Sequence, residues 1–189
     1  IYDSAYEAFI TEKDVPRSIF AVEGAKECAI EMCSLSKTAG FTGTRCAWSV
    51  FPDELTVGDT KLSALWARRQ ATKFNGVPYI VQRAAEAVLT DEGIKECKAL
   101  VEDYMENARI IGGALKNSGI EFVGGENSPY LWLKCPGNAG SWEFFDYLLK
   151  NAQLVGTPGA GFGEAGEGYF RLTSFGNREN TLEAAKRLE

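Results

Sequence analysis

The sequence predicts an α/β protein that continues into a small α+β domain. Two short apolar segments, residues 28–33 and 46–51, have the composition of buried strands in an α/β sheet. A long helical pattern runs from Thr90 to Asn117, and beyond it the apolar residues alternate with a period of two. We therefore expect three parts, namely part of a large domain at residues 1–90, a joining helix at 91–118 and a small domain at 119–189.

The individual elements follow from helix signals and from alternation. A helical pattern over 61–87 is interrupted at 75–78, which predicts two helices, the second beginning near Pro78. Thr90 or Asp91 is expected to cap the long helix that follows. In the small domain the pattern predicts strands at 121–123, 130–135, 154–157 and 169–175, a helix at 141–149 with Ser141 as its N-cap, and a last helix beginning at 177–180.

The composition is that of an ordinary globular protein. Of 189 residues, 45% are hydrophobic and 24% are charged, and 26 acidic against 20 basic residues give a net charge of -6. This balance disfavours partners such as nucleic acid or an anionic membrane. No apolar run approaches the ~18 residues of a membrane span, and no leader pattern opens the chain. We expect a cytoplasmic protein, or one of the plastid stroma in a photosynthetic eukaryote.

The cysteine and histidine content limits the kinds of cross-link, metal site and catalytic group that the chain can contain. The five cysteines are odd in number and contain no C-x-x-C pair, and histidine is absent. Neither a disulfide framework nor a metal site is therefore expected. Catalysis would have to use lysine, tyrosine, carboxylates, cysteine or a cofactor.

One segment combines a lysine with phosphate-binding groups. Ser34, Ser36 and Arg45 surround a loop that contains glycines, and hydroxyls with a guanidinium are suitable ligands for a phosphate monoester. Lys37 lies within this segment, so that an aldehyde on a phosphorylated ring could be held within reach of its amine. The alternative is a solvated loop lysine with hydroxyl-rich neighbours.

A carboxylate and a phenol lie near the start of the chain, at the end of another predicted strand. Asp3 could keep the nitrogen of a pyridoxal ring protonated, and Tyr6 could donate a hydrogen bond to the ring 3-oxygen. Alternatively, Asp3 caps a helix that begins near Ala5, and Tyr6 packs on the apolar face of that helix.

Together these motifs resemble a known family. The order Asp-x-x-Tyr, Ser-x-Ser-Lys, an arginine eight residues after the lysine and a distant arginine in a C-terminal strand is similar to that of the fold-type I pyridoxal-phosphate aminotransferases. The resemblance covers the whole chain and is greatest to the LL-diaminopimelate aminotransferase branch of the family. The segments that carry it are 2–6, 16–20, 36–45, 127–130 and 157–163.

The resemblance implies a fold and a place within a longer protein. The fold would be aspartate-aminotransferase-like, with a mixed, mostly parallel sheet in a partial large domain. The chain would be the C-terminal half, and its first residues, Ile1-Tyr2-Asp3, read as a strand already in progress. An upstream half would carry an aromatic residue that stacks on the cofactor and much of the substrate pocket, so we expect this chain alone to be inactive.

The resemblance also assigns roles to residues. Lys37 would bind the cofactor covalently and move the substrate proton, and Arg171 would bind the substrate α-carboxylate, whereas Asn75 would reach into the neighbouring subunit's site. The remaining implied contacts are Ser34, Ser36 and Arg45 on the cofactor phosphate, Asp3 on the ring nitrogen and Tyr6 on the 3-oxygen. Strand alternation places Arg171 on the face opposite Phe170 and Leu172. The alternatives are a surface ion pair for Arg171 and a turn asparagine for Asn75.

The implied activity is transfer of an amino group between LL-2,6-diaminopimelate and 2-oxoglutarate in lysine biosynthesis, with pyridoxal 5'-phosphate as cofactor. The implied partners are small amino-acid and 2-oxo-acid substrates and a second subunit in a homodimer with shared active sites. One alternative is another fold-type I aminotransferase of the aromatic or aspartate type. Another is an inactive fragment or an interaction module. The glycines of 159–163 lack the acidic residue of a dinucleotide-binding motif and are interpreted as a loop.

Overall fold

A computed structural model describes residues 1–189, and the chain divides into two compact units, Ile1–Val101 and Glu102–Glu189. The division falls inside the long helix Asp91–Asn117, whose ends match the predicted joining segment 91–118. The assignment of the two units to a large and a small domain of the family stays a prediction.

A three-stranded mixed sheet organises the first unit. Its strands are β1 (Tyr2–Asp3), β2 (Glu31–Ser34) and β3 (Ala47–Val50). Strand β1 runs parallel to β2, with Asp3 opposite Met32, whereas β3 runs antiparallel to β2. The carboxyl ends of β1 and β2 and the amino end of β3 therefore lie at the same end of the sheet.

The two predicted strands are present, but the expectation that both are buried was wrong. Helix α1 (Ala25–Cys28) occupies the start of the segment predicted as the first strand. In β3, Ala47 is exposed and Trp48 is 47% exposed. Strand β3 lies at one edge of the three-stranded sheet and pairs only with β2, so an apolar composition alone did not reveal its exposure.

The helices of the first unit agree with the predictions. After the short helix α2 (Leu35–Thr38) and the hairpin strands β4 (Thr56–Val57) and β5 (Thr60–Lys61), helix α3 spans Leu62–Lys73 and helix α4 spans Tyr79–Val88. The predicted interruption at 75–78 is confirmed. Helix α5 is Asp91–Asn117, and its predicted cap Thr90 accepts a hydrogen bond from the backbone N–H of Gly93 at 3.1 Å. None of the helices combines the length and apolar character that crossing a lipid bilayer requires.

An antiparallel sheet, the C-terminal part of α5 and two further helices form the second unit. The sheet order is β6-β7-β9-β8, and every pairing in it is antiparallel. The elements are β6 (Phe122–Gly124), β7 (Tyr130–Lys134), α6 (Ser141–Tyr147), a π-helical turn (Leu148–Ala152), β8 (Thr157–Pro158), β9 (Tyr169–Thr173) and α7 (Arg178–Leu188). Its core combines Leu115 of α5, Leu131 and Leu133 of β7, Phe144 of α6 and Phe170 of β9.

Ser141 is not the N-cap of helix α6. Gly140 takes that position, and the Ser141 side chain is fully buried instead. Its hydroxyl donates to the carbonyl of Gly166 at 3.2 Å and accepts from the backbone N–H of Gly168 at 3.0 Å. The serine therefore satisfies the backbone of a neighbouring loop, a role that local sequence cannot indicate because the partners lie more than twenty residues away.

Candidate active site

One end of the sheet in the first unit gathers most of the predicted site residues. Asp3 ends β1, Ser34 ends β2, and Arg45 comes two residues before β3. Since β3 is antiparallel to β2, with Ser34 opposite Ala47, these three positions meet at the same sheet end. This is where α/β sheets bind ligands, outside the carboxyl ends of parallel strands.

The loop between β2 and β3 folds back on itself, as predicted. The backbone N–H of Leu35 donates to the carbonyl of Cys46 at 3.0 Å, which closes the loop. The hydroxyl of Thr42 donates to the carbonyl of Ser36 at 2.9 Å. The predicted phosphate-binding residues thus lie on one closed loop.

The donors expected to bind a phosphate are placed by this loop. The hydroxyl oxygens of Ser34 and Ser36 lie 2.9 Å apart, and Ser34 also accepts from the backbone N–H of Ser36 at 3.1 Å. Arg45 is exposed, and its Nη1 donates to the carbonyl of Thr42 at 2.7 Å. Because a guanidinium has five N–H donors, most of those on Arg45 remain for an anion.

The backbone of Arg45 has an uncommon conformation. Its φ of 63° lies in the left-handed region, which costs a residue with a Cβ about 1 kcal/mol or more. The backbone N–H of Arg45 donates to the carbonyl of Phe41 at 2.9 Å, which fixes this turn. Such conformations concentrate at functional sites, where the surrounding structure holds them.

Lys37 lies in the short helix α2, which begins directly after Ser34. Its side chain is half-buried and belongs to the same closed loop as the two serines. The structure therefore places Lys37 in the same loop segment as the two serines and Arg45. Covalent attachment of a cofactor at Lys37 stays a prediction.

Asp3 lies at the same end of the sheet, where it ends β1, and Tyr6 follows three residues later. The Oδ1 atom of Asp3 accepts from the backbone N–H of Ala5 at 3.0 Å, and its side chain is exposed. The helix expected near Ala5 is a 3₁₀ turn at Glu7–Phe9, with Tyr6 before it. The Tyr6 ring lies 6.1 Å from the Phe9 ring. One carboxylate oxygen of Asp3 thus stabilises the turn locally, and its contact with a cofactor ring stays a prediction.

Arg171 lies in the middle of β9 in the second unit. Phe170 is fully buried and Leu172 packs against the core, so the predicted facing of Arg171 is confirmed. Its guanidinium carbon lies 4.4 Å from the ring centre of Tyr130 and 4.6 Å from that of Phe162. Its Nε is buried without a hydrogen-bond partner. The group is therefore a cation in contact with two aromatic rings, with one buried donor unpaired, and its binding of a substrate carboxylate stays a prediction.

Asn75 follows helix α3 and has a left-handed backbone, with φ of 68°. Its backbone N–H donates to the carbonyl of Gln70 and its side-chain amide to the carbonyl of Ala71, each at 2.8 Å. This is the geometry of an asparagine that ends a helix. The role in a neighbouring subunit's site stays a prediction.

Two contributors to the site went unnoticed in the sequence. Ser4 is buried, and its hydroxyl donates to the carbonyl of Met32 at 3.0 Å beside the Cys33 sulfur at 3.3 Å, which ties β1 to β2. Burial raises the pKa of the Cys33 thiol. Thr42 ties the loop between β2 and β3 to the carbonyl of Ser36, and its position beside a glycine is the signal that could have identified it. No local signal marks Ser4.

The residues of the first unit suit pyridoxal phosphate by the chemistry of their donors. A phosphate monoester needs hydroxyl and guanidinium donors, which Ser34, Ser36 and Arg45 supply from a closed loop. An aldehyde needs an amine, which Lys37 supplies in the same loop. A pyridine nitrogen needs a carboxylate, which Asp3 supplies at the same sheet end.

Known proteins resemble the chain over its whole length. Residues 1–188 match the family model for aminotransferase class I and II. The chain is 59% identical to an LL-diaminopimelate aminotransferase of Agathobacter rectalis and 57% identical to one of Lachnospira eligens, each over all 189 residues and 47% of the relative.

Solved structures agree with these matches. The structure of an L,L-diaminopimelate aminotransferase from Chlamydomonas reinhardtii matches 98% of this chain and 46% of its own, with a TM-score of 0.91 and 44% identity. An aromatic aminotransferase from Pyrococcus horikoshii matches 98% of this chain with a TM-score of 0.83 and 25% identity. The chain spans about half the length of these relatives, and that share does not say which half, so the C-terminal placement stays a prediction. The chain belongs to the aminotransferase class I and II family.

Proposed function

We propose that the full protein transfers an amino group between LL-2,6-diaminopimelate and 2-oxoglutarate, in lysine biosynthesis, with pyridoxal 5'-phosphate bound at Lys37. The observation that carries the proposal is the meeting of Asp3, the segment Ser34–Lys37 and Arg45 at one sheet end. It is supported by 57–59% identity to two proteins that bear the name LL-diaminopimelate aminotransferase.

The chain's own residues have separate tasks in this reaction. Ser34, Ser36 and Arg45 bind the cofactor phosphate and fix its position. Asp3 holds a proton on the ring nitrogen, and bound pyridoxal phosphate supplies the electron sink that makes the substrate α-proton removable. Lys37, once its amine has been released by the incoming amino donor, would take that proton from the substrate Cα and hold it for return.

Two further residues orient the reacting groups. Tyr6 would hold the cofactor by donating a hydrogen bond to the ring 3-oxygen. Arg171 binds the substrate α-carboxylate through parallel N–H donors, since a planar guanidinium matches a carboxylate fork. This pairing anchors the carboxylate end of the substrate with equal strength before and during proton transfer.

The role of Lys37 can be tested by absorbance. The full protein, purified with its cofactor, should show the visible band of lysine-bound pyridoxal phosphate. Lys37→Ala should abolish that band, whereas Lys13→Ala, which removes an exposed lysine of the same unit, should keep it. An unchanged band in Lys37→Ala would refute the proposed attachment.

The substrate can be tested by comparing amino donors. Formation of glutamate from 2-oxoglutarate should be fastest with LL-2,6-diaminopimelate. Failure to use this donor together with acceptance of aspartate or an aromatic amino acid would overturn the substrate assignment and favour a relative of the aromatic type.

Activity also depends on the parts of the protein beyond these residues. We propose that the 189-residue chain alone is inactive, because it spans about half of its relatives. Titrating it with pyridoxal phosphate tests this directly. A spectral change with turnover of an amino donor would contradict the proposal.

A homodimer is the proposed assembly. Several large apolar side chains near the α3–α4 connection are more than half exposed, and they flank Asn75, the residue expected to reach into a partner's site. They are Leu65, Phe74, Tyr79 and Ile80. Sedimentation of the full protein should give twice the monomer mass, and a monomer at micromolar concentration would contradict this assembly.

A further inference from the structure

Two aromatic rings contact the guanidinium of Arg171. Tyr130 and Phe162 lie 4.4 Å and 4.6 Å from its central carbon, within the ~6 Å range of cation–π attraction. Trp132 pairs directly with Arg171 across the strands, so Tyr130 is its diagonal neighbour on the same face of the sheet. Phe162 comes from a separate segment, the 3₁₀ turn Gly159–Phe162. We call Tyr130 and Phe162 the aromatic clamp.

The aromatic clamp is itself held in place by other rings. Phe162 lies edge-on to Trp132 at 5.6 Å, and Trp132 stacks on Tyr169 at 5.6 Å with only 14° between the ring planes. Tyr130 lies edge-on to Phe175 at 5.9 Å. Because each clamp ring contacts a further ring, neither can swing away from Arg171 without breaking a second contact.

One hydrogen-bond donor of Arg171 has no partner in the structure. Its Nε is buried without a partner, and leaving a buried donor unpaired costs stability. Structures usually retain such a group when a ligand or water completes it. Cation–π attraction to the two rings does not itself fill the hydrogen-bond donors of the guanidinium, so these can still bind a carboxylate.

We propose that Tyr130 and Phe162 are positioning residues for substrate binding, which hold Arg171 in the orientation that receives a carboxylate. This proposal rests on the proposed role of Arg171 in binding the α-carboxylate. A fixed guanidinium loses less side-chain entropy when it binds than a mobile one does.

The kinetic test compares ring-removing and ring-keeping variants in the full, cofactor-loaded protein. Tyr130→Leu should raise the KM of the amino donor and of 2-oxoglutarate about tenfold, with kcat changed about twofold or less, because the carboxylate is bound equally before and during the reaction. Tyr130→Phe keeps the ring and should restore the KM. Tyr147→Leu removes an exposed ring that stacks on Phe144, and is the control for general damage.

A second readout does not depend on activity. The Nε–Hε signal of Arg171 can be observed by NMR in protein labelled at arginine nitrogen and assigned by its loss in Arg171→Lys. Ring currents from the clamp should shift this signal away from that of solvated arginines. The shift should shrink in Tyr130→Leu and in Phe162→Leu and persist in Tyr130→Phe. A signal at the chemical shift of solvated arginines that these substitutions leave unchanged would overturn the proposal.

The two readouts separate the clamp from the function on which it depends. If Arg171→Lys raises the KM at least tenfold but Tyr130→Leu and Phe162→Leu leave it unchanged, the positioning role is refuted and the proposed function stands. If Arg171→Lys leaves the KM unchanged, the carboxylate role of Arg171 fails and the positioning role fails with it. A raised KM in all three variants, with rescue by Tyr130→Phe, supports both.

Discussion

Arg45 combines an unfavourable backbone conformation with a side chain that is expected to bind phosphate. Its left-handed φ of 63° suits glycine better than arginine, and the side chain is exposed. Its guanidinium donates a hydrogen bond to the carbonyl of Thr42 within the same loop. Binding of a phosphate by the remaining donors stays a prediction.

We expect Arg45→Gly and Arg45→Ala to separate these two roles. Both variants should weaken cofactor binding, because both lose the guanidinium. Glycine should make the protein more stable than alanine by about 1 kcal/mol, since only alanine keeps the left-handed strain. Urea denaturation of cofactor-free protein measures the difference, and equal stabilities would show that the turn relaxes when the side chain is removed.

The cysteines should differ strongly in reactivity. Cys135 is 2% exposed, and its pKa is raised by burial and further by the charge of Glu167, whereas Cys28 is exposed. Since the thiolate is the reacting form, iodoacetamide near pH 8 should modify Cys28 well before Cys135. Mass spectrometry of peptides after timed alkylation gives the order, and early labelling of Cys135 would mean that the core opens readily.

Ionisation of the Cys135 thiol makes the free energy of unfolding depend on pH in the alkaline range. Because the folded state raises the pKa of Cys135, its neutral form is favoured by folding. The contribution of Cys135 to the free energy of unfolding is fully present below the ordinary cysteine pKa of about 8.5. It is lost as the pH rises through the higher pKa that the thiol has in the folded state.

Helix α5 contains glycines in opposite environments. A Cβ at Gly93 would lie 2.2 Å from the carbonyl oxygen of Ala87 and 2.7 Å from that of Val88, both backbone atoms. A Cβ at Gly113 would meet nothing within 4 Å, and that residue is exposed. Helix propensity favours alanine at both positions, but packing opposes it at Gly93.

We therefore expect Gly113→Ala to stabilise the protein by about 0.5–1 kcal/mol and Gly93→Ala to destabilise it. The loss at Gly93 should exceed about 1 kcal/mol, because the start of α5 must move away from the end of α4. Thermal melting of the two variants beside the parent protein measures both effects. Destabilisation by Gly113→Ala would indicate that another chain covers this face.

The elements that sequence predicted well are those with local signals. The break between α3 and α4 follows from Pro78, and the start of α5 follows from Thr90. The predictions that were wrong concern residues whose environment depends on partners distant in the sequence. Ser141 is held by Gly166 and Gly168, and the exposure of β3 depends on what lies beside the sheet edge.

At the scale of the whole molecule, the candidate site was predictable as a list of residues but not as an arrangement. Spacing indicated Ser34, Ser36, Lys37 and Arg45, because they share one loop. The approach of Asp3 to that loop depends on β1 pairing with β2 across almost thirty residues, which no local pattern encodes.

Cofactor binding should be visible in the stability of the whole protein. A ligand that binds only the folded state stabilises it by about 2.7 kcal/mol at a hundred times its Kd. Pyridoxal phosphate should therefore raise the Tm of cofactor-stripped protein. Pyridoxal, which lacks the phosphate monoester, should raise it much less at the same concentration, because the donors of Ser34, Ser36 and Arg45 would have no anion to bind. Arg45→Ala should reduce the effect of pyridoxal phosphate and leave that of pyridoxal nearly unchanged. Equal shifts with the two compounds would mean that this loop does not bind the phosphate.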